Sequence, residues 1–456
     1  MGASRTPSTC VSDAGPGRPR RRQRAARSEA TKRADPLLQH NMGTQEQSPL
    51  DVEALRADFP ILEREVAEGT PLVYFDNAAT TQTPKRVVDS ITEYYYEYNS
   101  NVHRGIHQLS QEASIAYEEA HDRIAAFVGA SGGREELVFT KNTTESFNLV
   151  AYAWGLNELG EGDTVVLTQM EHHASLVTWQ QIAKKTGATV EYIPITEDGT
   201  LDMDAAGDLI DEDTAMVSVV HASNVLGTVN PVSELADMAH EQDALIFVDG
   251  AQAVPNRPVD VEAIDADFYA FSGHKMAGPT GIGALYGKNH LLESMDPYLY
   301  GGEMIKKVTY DDATWNDLPW KFEAGTPSIS EGIAFAEAAD YVEEVGLENI
   351  RAHEEYVTEY AYEELSALDG VEIYGPPADR RGGLVAFNVE GIHAHDLSSI
   401  LNDYGVAVRA GDHCTQPLHD TLGVPASIRA SFYLYNTRAE VDTLIEGVEG
   451  AIDIFD

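Results

Sequence analysis

The middle of the chain alternates short apolar runs with stretches in which apolar positions recur every three or four residues. The runs predict β-strands, and the stretches between them predict helices. Strands buried on both faces have nearly continuous apolar sequences, so the alternation predicts a mainly parallel sheet between helices. The predicted strands of this sheet are residues 136–140, 164–168, 189–193, 215–221, 245–248, 267–271 and 283–286.

After this region the pattern becomes a mixture of helices and strands. A long helix is predicted from about Ser330, and further elements at 371–374, 384–389, 396–404 and 428–431. We therefore expect an α/β fold, with a large domain at 71–325 and a smaller α+β C-terminal domain at 326–456. Residues 42–70 are expected to pack with the small domain.

Composition separates residues 1–41 from the rest of the chain. This stretch holds nine Arg or Lys residues against three acidic ones and is rich in Ser, Pro and Gly, which is typical of a disordered extension. A basic arm can bind nucleic acid or target an organelle. Because the composition changes so sharply at Met42, we favour a mis-assigned start, with the domain beginning there.

The whole chain has a formal net charge of −44, from 75 acidic and 31 basic residues. Such a charge strains a compact protein by self-repulsion, and molar salt removes most of that cost. We therefore expect a salt-rich, halophile-like cytoplasm and no nucleic-acid partner for the body of the protein. The acidic residues are scattered along the chain, so no metal site is predicted.

Cys10 and Cys414 are the two cysteines of the chain, too few for a disulfide framework. No apolar run reaches the roughly 18 residues that span a bilayer, and no signal-peptide core follows the first residues. The sequence therefore predicts a cytoplasmic protein without a membrane partner. An isolated cysteine beside a histidine, as at Cys414, is a candidate nucleophile.

Two polar segments follow predicted strands and carry the most informative chemistry. Asp249 ends an apolar strand, where its carboxylate can keep a pyridinium nitrogen protonated, with Gln252 close by for a phenolic oxygen. The alternative for Asp249 alone is a helix N-cap. Lys275 lies in the turn Ser272-Gly273-His274-Lys275 after another strand, where burial would lower its pKa towards Schiff-base chemistry. A surface lysine is the alternative there.

Two further strand ends carry polar side chains. Thr143 and Thr144 join a strand to a helix, where hydroxyls and backbone N–H groups can hold an anion. Simple capping by either threonine is an equally good interpretation. His172 follows the strand at 164–168, where an imidazole can stack on a flat ring.

The segment from Arg409 to Cys414 is a glycine-containing loop that holds the cysteine outside the basic arm. Nearby Arg409 and His413 are expected to lower the thiol pKa, as a nucleophile needs. An inert buried cysteine is the alternative, although the polar flanking residues argue against it. Arg429 starts a predicted strand, where a guanidinium can hold a substrate carboxylate bidentately.

Together these residues resemble the class V aminotransferase family of pyridoxal-phosphate enzymes. The nearest match is the SufS-type branch of cysteine desulfurases and selenocysteine lyases. The resemblance runs from about Pro60 to Ile452 and implies a fold-type I homodimer with its active site at the subunit interface. The segments that carry it are 74–79, 101–105, 142–145, 171–174, 224–227, 249–252, 272–275, 323–327, 409–414 and 429–431.

The resemblance assigns roles residue by residue. Lys275 would bind pyridoxal 5'-phosphate covalently, and Cys414 would take up the substrate sulfur as a persulfide. Residues expected at the cofactor are Thr143, Thr144, His172, Asp249, Gln252, Ser272, His274 and, from the other subunit, Thr326. Residues expected at the substrate are His103, Asn224, Arg409 and Arg429. His172 is expected to take part in catalysis as well as in cofactor binding.

At Asp412 the chain departs from the pattern of its relatives, many of which have histidine there. The extra carboxylate is expected to slow persulfide formation by raising the thiol pKa.

The implied activity is the conversion of L-cysteine to L-alanine, with the sulfur passed from Cys414 to an acceptor protein for iron–sulfur cluster assembly. L-selenocysteine is a further expected substrate. Two alternatives remain open. One is an aminotransferase or lyase of the same family that does not use Cys414, and the other is a non-catalytic sulfur-relay scaffold.

Overall fold

The alternation of strands and helices is present in the computed structural model, which describes residues 48–455. The basic extension expected at 1–41 lies outside the described residues, as does Cys10. The strands are β1 Glu65–Ala67, β2 Thr70–Pro71, β3 Val73–Tyr74, β4 Leu137–Thr140, β5 Thr164–Thr168, β6 Thr189–Ile193, β7 Thr214–Val220, β8 Leu245–Asp249, β9 Phe268–Ser272, β10 Gly283–Gly287, β11 Ile305–Val308, β12 Ala313–Trp315, β13 Val371–Tyr374, β14 Leu384–Val389, β15 Val406–Ala407, β16 Arg409–Gly411 and β17 Ser427–Ser431.

The α-helices connect and cover these strands. None of those in the described residues is long and apolar enough to cross a membrane. They are α1 Val52–Arg56, α2 Lys85–Glu93, α3 Gln108–Phe127, α4 Thr143–Val150, α5 Leu156–Glu158, α6 His173–Thr186, α7 Met203–Leu209, α8 Val232–Glu241, α9 Val261–Ile264, α10 Asn289–Ser294, α11 Ile329–Val345, α12 Leu347–Ser366, α13 Ala394–Asp403, α14 Gln416–Leu422 and α15 Arg438–Phe455.

The large sheet has seven strands in the order β4-β10-β9-β8-β7-β5-β6. Five of them, β5 to β9, pair in parallel, which confirms the mainly parallel sheet. Strand β10 runs antiparallel to both of its neighbours, β4 and β9. An apolar run does not encode strand direction, so the sequence pattern did not predict this reversal.

Alternating side chains of the central strands pack into two separate apolar cores. Ile246 and Val248 of β8 belong to one core, and Phe247 between them belongs to the other. This division follows from the twofold side-chain period of a strand, which points successive residues to opposite faces. Burial of both faces is what makes the sequences of these strands nearly continuously apolar.

The C-terminal part contains an antiparallel sheet in the order β13-β14-β17-β16. Its apolar side chains form a third core together with residues of α12, α13 and α15. Val73 and Phe75 join this core, and β3 pairs in parallel with β15. These contacts confirm an α/β chain with an α+β C-terminal part. The division at residues 325 and 326 stays a prediction.

One edge of the large sheet gathers the segments that carry the candidate chemistry. Strand β8 ends at Asp249 and β9 at Ser272, and β5 and β7 end just before the segments of His172 and Asn224. In open α/β sheets ligands bind beyond the carboxyl ends of the strands. The fold therefore places these residues where a ligand site is expected.

Candidate active site

A cavity of about 340 Å³ lies at this edge of the sheet. It contains side chains from both sheets, since residues of β8 and β9 face residues of β16 and β17 across it. The predicted site residues that line it are Thr143, Thr144, His172, Asn224, Asp249, Gln252, Ser272, His274, Lys275, Arg409, Cys414 and Arg429.

Asp249 and Lys275 lie on the sheet side of the cavity. The Asp249 carboxylate accepts a hydrogen bond from the Ala251 N–H at 2.9 Å, and no α-helix begins at this residue. Burial raises the pKa of Asp249, and the Lys275 ammonium opposes that shift. Burial also lowers the pKa of Lys275 to about 8, so its amine is partly neutral near physiological pH. This pair supplies a buried carboxylate and a nucleophilic amine.

His172 caps the N-terminus of α6, because its Nδ1 accepts the Ala174 N–H at 3.0 Å. The ring therefore has its proton on Nε2. Burial lowers the pKa of His172 to about 3, and the Lys275 ammonium contributes to that shift. The imidazole is consequently neutral, and its Nε2–H is a hydrogen-bond donor.

Gln252 is held by its amide, whose Nε2 donates to the Ala78 carbonyl at 2.6 Å. An amide nitrogen carries two hydrogens. One donor therefore remains for a ligand oxygen, and its use by a phenolic oxygen stays a prediction.

The N-terminus of α4 forms the polar end of the cavity. Ser272 Oγ accepts the Thr143 N–H at 2.9 Å and lies 2.7 Å from Thr143 Oγ1, which joins β9 to this helix. The helix cap is Asn142, whose Oδ1 accepts the Glu145 N–H at 3.0 Å. Capping by Thr143 or Thr144 was therefore wrong, and both threonines lie at the first helical positions.

His274 completes this end of the cavity. Burial lowers its pKa to about 4, so the ring is neutral. Hydroxyl groups, a neutral imidazole and a helix N-terminus form a group of donors that suits a phosphate.

Asp76 connects the two arginines on the opposite side. The Arg409 guanidinium binds it through Nε and Nη2, the closest pair being Nη2–Oδ2 at 2.7 Å. Arg429 Nη2 donates to the same carboxylate at 3.3 Å. Burial lowers the pKa of Arg429 to about 10, and Asp76 opposes that shift. Both arginines thus remain cationic and are fixed by one carboxylate.

Asn224 and Arg429 present polar atoms that have no partner. Arg429 Nη1 donates to the Asn224 carbonyl at 2.9 Å, while Arg429 Nε is buried without an acceptor. Asn224 Nδ2 donates to the His413 carbonyl at 2.8 Å, while Asn224 Oδ1 is buried without a donor. Buried polar groups without partners are costly. Their position in the cavity wall is consistent with a polar ligand that would satisfy them.

Cys414 is exposed and lies on a loop that is held in place by hydrogen bonds of its own backbone. His413 and Cys414 both adopt left-handed backbone conformations, with φ of 50° and 61°. The Cys414 N–H donates to Asp412 Oδ1 at 3.0 Å, and the Cys414 carbonyl accepts the His173 N–H at 2.9 Å. In addition, the Gln416 N–H donates to His173 Nε2 at 3.1 Å. The loop is therefore attached to the N-terminus of α6.

The structure changes what was expected of His413 and Arg409 beside the Cys414 thiol. Burial lowers the pKa of His413 to about 2, so its ring is neutral and offers no positive charge to the thiol. Arg409 keeps its charge but is paired with Asp76. Asp412 has a structural contact, because it accepts the Cys414 N–H. Whether it also slows persulfide formation stays a prediction.

Two predicted site residues lie outside this cavity. The His103 ring packs against Trp320, with centroids 4.3 Å apart, and His103 has a left-handed φ of 68°. Thr326 is exposed on the surface. The role predicted for Thr326 belongs to another subunit's site, so its position here leaves that prediction open.

Asp76, His173 and Gln416 hold the site together but were not predicted to do so. Asp76 and His173 stand within segments that carried the family resemblance, and that was the one signal pointing to them. Their partners are 333 and 243 residues away in sequence, which no local pattern reveals.

The chain is similar to known proteins over most of its length. The sequence profile of the family described as "Aminotransferase class-V" matches residues 73–444. The chain is 72% identical to the probable cysteine desulfurase of Halobacterium salinarum over 91% of its own length and all of that protein. It is 69% identical to the cysteine desulfurase of Haloferax volcanii, with the same coverage.

Solved structures agree with these sequence matches. The apo structure of a cysteine desulfurase from Thermococcus onnurineus NA1 superposes with a TM-score of 0.84 at 40% identity, covering 90% of this chain and all of that one. The cysteine desulfurase CsdA from Escherichia coli superposes with a TM-score of 0.83 at 36% identity, covering 89% of this chain and all of that one.

Proposed function

The chain belongs to the aminotransferase class-V family, and from that premise we propose that it is a cysteine desulfurase. It converts L-cysteine to L-alanine and keeps the sulfur on Cys414 as a persulfide. The observation that carries this proposal is one cavity lined by both Lys275 and Cys414. An amine suited to amino-acid chemistry and a free thiol would thereby face the same substrate molecule.

The cofactor of this proposal is pyridoxal 5'-phosphate, and the cavity suits it. Asp249 would hold the ring nitrogen, His172 would lie against the ring, and Gln252 has a donor left for the phenolic oxygen. The donors at the N-terminus of α4 would hold the phosphate. When bound, this cofactor withdraws electrons from the substrate Cα and so makes its proton acidic.

Substrate binding is assigned to the side of the cavity that carries the arginines. Arg429 Nε and Asn224 Oδ1 are buried without partners, and they would bind the polar groups of an amino acid. A guanidinium fixed by Asp76 and by the Asn224 carbonyl is already oriented, so little freedom is lost when a carboxylate binds. Arg409, half-exposed beside it, adds positive charge at the entrance.

Proton transfer at the substrate is assigned to Lys275. Its Nζ is substantially neutral near pH 8, so it can take the proton from the substrate Cα and return it. His172 stays neutral and keeps its proton on Nε2, where it can donate a hydrogen bond but not carry a charge.

Sulfur transfer is assigned to Cys414, which acts as a thiolate nucleophile. Its Sγ attacks the substrate sulfur, so a new S–S bond forms while the bond between the substrate Cβ and its sulfur breaks. The electron pair of the broken bond stays with the substrate carbon, which takes up protons and leaves as alanine. The carbon is reduced and the two sulfurs are oxidised to a persulfide, so no external oxidant is required.

The proposal extends to the partners that the resemblance implies. L-selenocysteine enters by the same route, and an acceptor protein collects the persulfide sulfur for iron–sulfur cluster assembly. Two subunits form a homodimer in a salt-rich cytoplasm, where the exposed Thr326 of each reaches the other's cofactor phosphate. Large exposed apolar side chains support an interface; they include Tyr96, Ile106, Ile115, Tyr300 and Tyr310. Light scattering in molar salt tests for a dimer.

The test of the activity compares alanine and sulfide release from L-cysteine in the wild-type protein, Cys414→Ala and Lys275→Ala at molar salt. We expect both variants to lose alanine formation, and Cys414→Ala to keep the visible absorbance that Lys275→Ala loses. Alanine formation that continues without Cys414 would instead indicate an aminotransferase or lyase that does not use the thiol. A wild-type protein that stays colourless with added cofactor would indicate a scaffold.

A further inference from the structure

Three buried polar side chains form a hydrogen-bonded chain behind Cys414. His413 Nε2 lies 3.0 Å from Ser427 Oγ, and His419 Nε2 lies 3.1 Å from the same oxygen. Their exposed fractions are 6%, 0% and 2% for His413, Ser427 and His419. None of the three has a part in the reaction described above, although His413 is among the residues that line the cavity.

The hydrogen-bond partners of the three side chains determine which ring nitrogen of each histidine carries the proton. His419 Nδ1 is 3.3 Å from the Thr415 carbonyl oxygen, which can only accept, so this nitrogen carries the proton. His419 Nε2 then accepts from the Ser427 hydroxyl, and Ser427 Oγ accepts from His413 Nε2–H. His413 Nδ1 is left without a proton, and it is buried with no partner.

These three hydrogen-bonded side chains join both sides of the cysteine loop to one strand. Ser427 begins β17, which also carries Arg429, while His413 precedes Cys414 and His419 lies in α14 after it. His413 and Cys414 are two consecutive non-glycine residues with left-handed φ, a conformation that persists only where the surroundings enforce it. The hydrogen bonds among His413, Ser427 and His419 can enforce this backbone conformation through buried side chains. The contacts with Asp412 and His173, in contrast, act on the backbone of the loop itself.

We propose that His413, Ser427 and His419 are positioning residues that hold the Cys414 thiol towards the bound substrate. The inference rests on the proposed function, because it concerns the thiol that takes up sulfur. Ser427 is the central member, since its single hydroxyl serves both rings. Loss of that hydroxyl would leave two buried imidazole nitrogens without a partner and would free the loop to leave its left-handed conformation.

The experiment uses the full-length, cofactor-loaded protein at molar salt and mixes it rapidly with L-cysteine. Two signals are followed: the change in visible absorbance when the substrate engages the cofactor, and persulfide on the Cys414 peptide, measured by mass spectrometry after quenching. The variants are Ser427→Ala, His419→Leu and His419→Gln, whose amide oxygen can still accept from Ser427. Ser48→Ala is the matched control, because it removes a serine–histidine hydrogen bond, to His353, that does not contact the cavity.

We expect Ser427→Ala and His419→Leu to form persulfide on the order of tenfold more slowly, with the absorbance change within about twofold of wild type. His419→Gln and Ser48→Ala should keep the wild-type rate of persulfide formation. Wild-type persulfide rates in folded Ser427→Ala and His419→Leu would overturn the inference, and so would an equal slowing of both signals. If the wild-type protein itself forms no persulfide, the proposed function fails, and this inference fails with it.

Discussion

Removal of the Asp76 charge should destabilise the folded protein more than removal of any exposed ion pair. In Asp76→Asn the shape of the side chain is kept, but Arg429 loses its ionic partner. The side chains of this pair are 3% and 16% exposed, so an almost fully buried guanidinium would be left uncompensated. Breaking a fully buried pair costs roughly 3–5 kcal/mol, and the partial exposure of Asp76 reduces this to about 2–3 kcal/mol.

The bond between Asp76 and Arg409 adds little to this loss. Arg409 is 49% exposed, and pairs of this kind contribute roughly 0–1 kcal/mol, less in molar salt. We therefore expect the free energy of unfolding to fall by about 3 kcal/mol. Asp317→Asn is the matched control, because Lys306 also contacts both oxygens of Asp317, at 2.8 and 3.0 Å, yet the pair is exposed. The control should lose less than about 1 kcal/mol.

The assay is urea unfolding of both variants at one fixed salt concentration, followed by circular dichroism. A common slope with urea would show that the two variants unfold to the same extent, so their midpoints can be compared. We expect Asp76→Asn to unfold at a lower urea concentration than Asp317→Asn, and an Asp76→Asn variant no less stable than Asp317→Asn would contradict this expectation. It would mean that Arg429 does not depend on Asp76 for its charge to be tolerated in the fold.

Three further predictions concern the sheet side of the cavity. In cofactor-free protein, the rate at which added pyridoxal phosphate restores visible absorbance should rise with pH through about 8, because only the neutral Lys275 amine reacts; a midpoint near 10.5 would contradict the lowered pKa. Asp249→Asn should reduce alanine formation on the order of 100-fold in steady-state assays, since an amide cannot hold a protonated ring nitrogen by charge; activity within threefold of wild type would oppose this role. Gly250→Ala should prevent folding or lower the thermal midpoint sharply, because an added Cβ overlaps the Tyr269 ring, whereas Gly207→Ala meets open space and should not.

The fold was predictable to the extent that local patterns determine it. Strands buried on both faces have apolar sequences, so the ends of the apolar runs could be located from the sequence. Asp249 and Ser272 are the last residues of two such strands. The reversed direction of β10 was not predictable, because direction depends on the connections and not on the side chains. The start of α6 at His173 was not predictable from local sequence either, because its cap is His172, and histidine is not a usual capping residue.

The candidate site was predictable as a set of residue types but not as a set of contacts. Lys275, Asp249 and Cys414 were identified by their sequence surroundings, and the structure brings them to one cavity. The left-handed backbone of the cysteine loop and the pairing of Arg409 with Asp76 depend on tertiary contacts across hundreds of residues. The sequence therefore suggested that His413 would be a charge beside the thiol, whereas burial makes it neutral.

A single turnover of the enzyme shows whether sulfur passes from the substrate to Cys414, as the proposed function requires. Enzyme in excess over L-cysteine is quenched with acid, alanine is quantified, and the Cys414 peptide is weighed by mass spectrometry. We expect one alanine for each Cys414 peptide that has gained the mass of one sulfur atom, with no such gain on Cys10. Alanine formed in the same amount while the Cys414 peptide keeps its original mass would contradict this expectation.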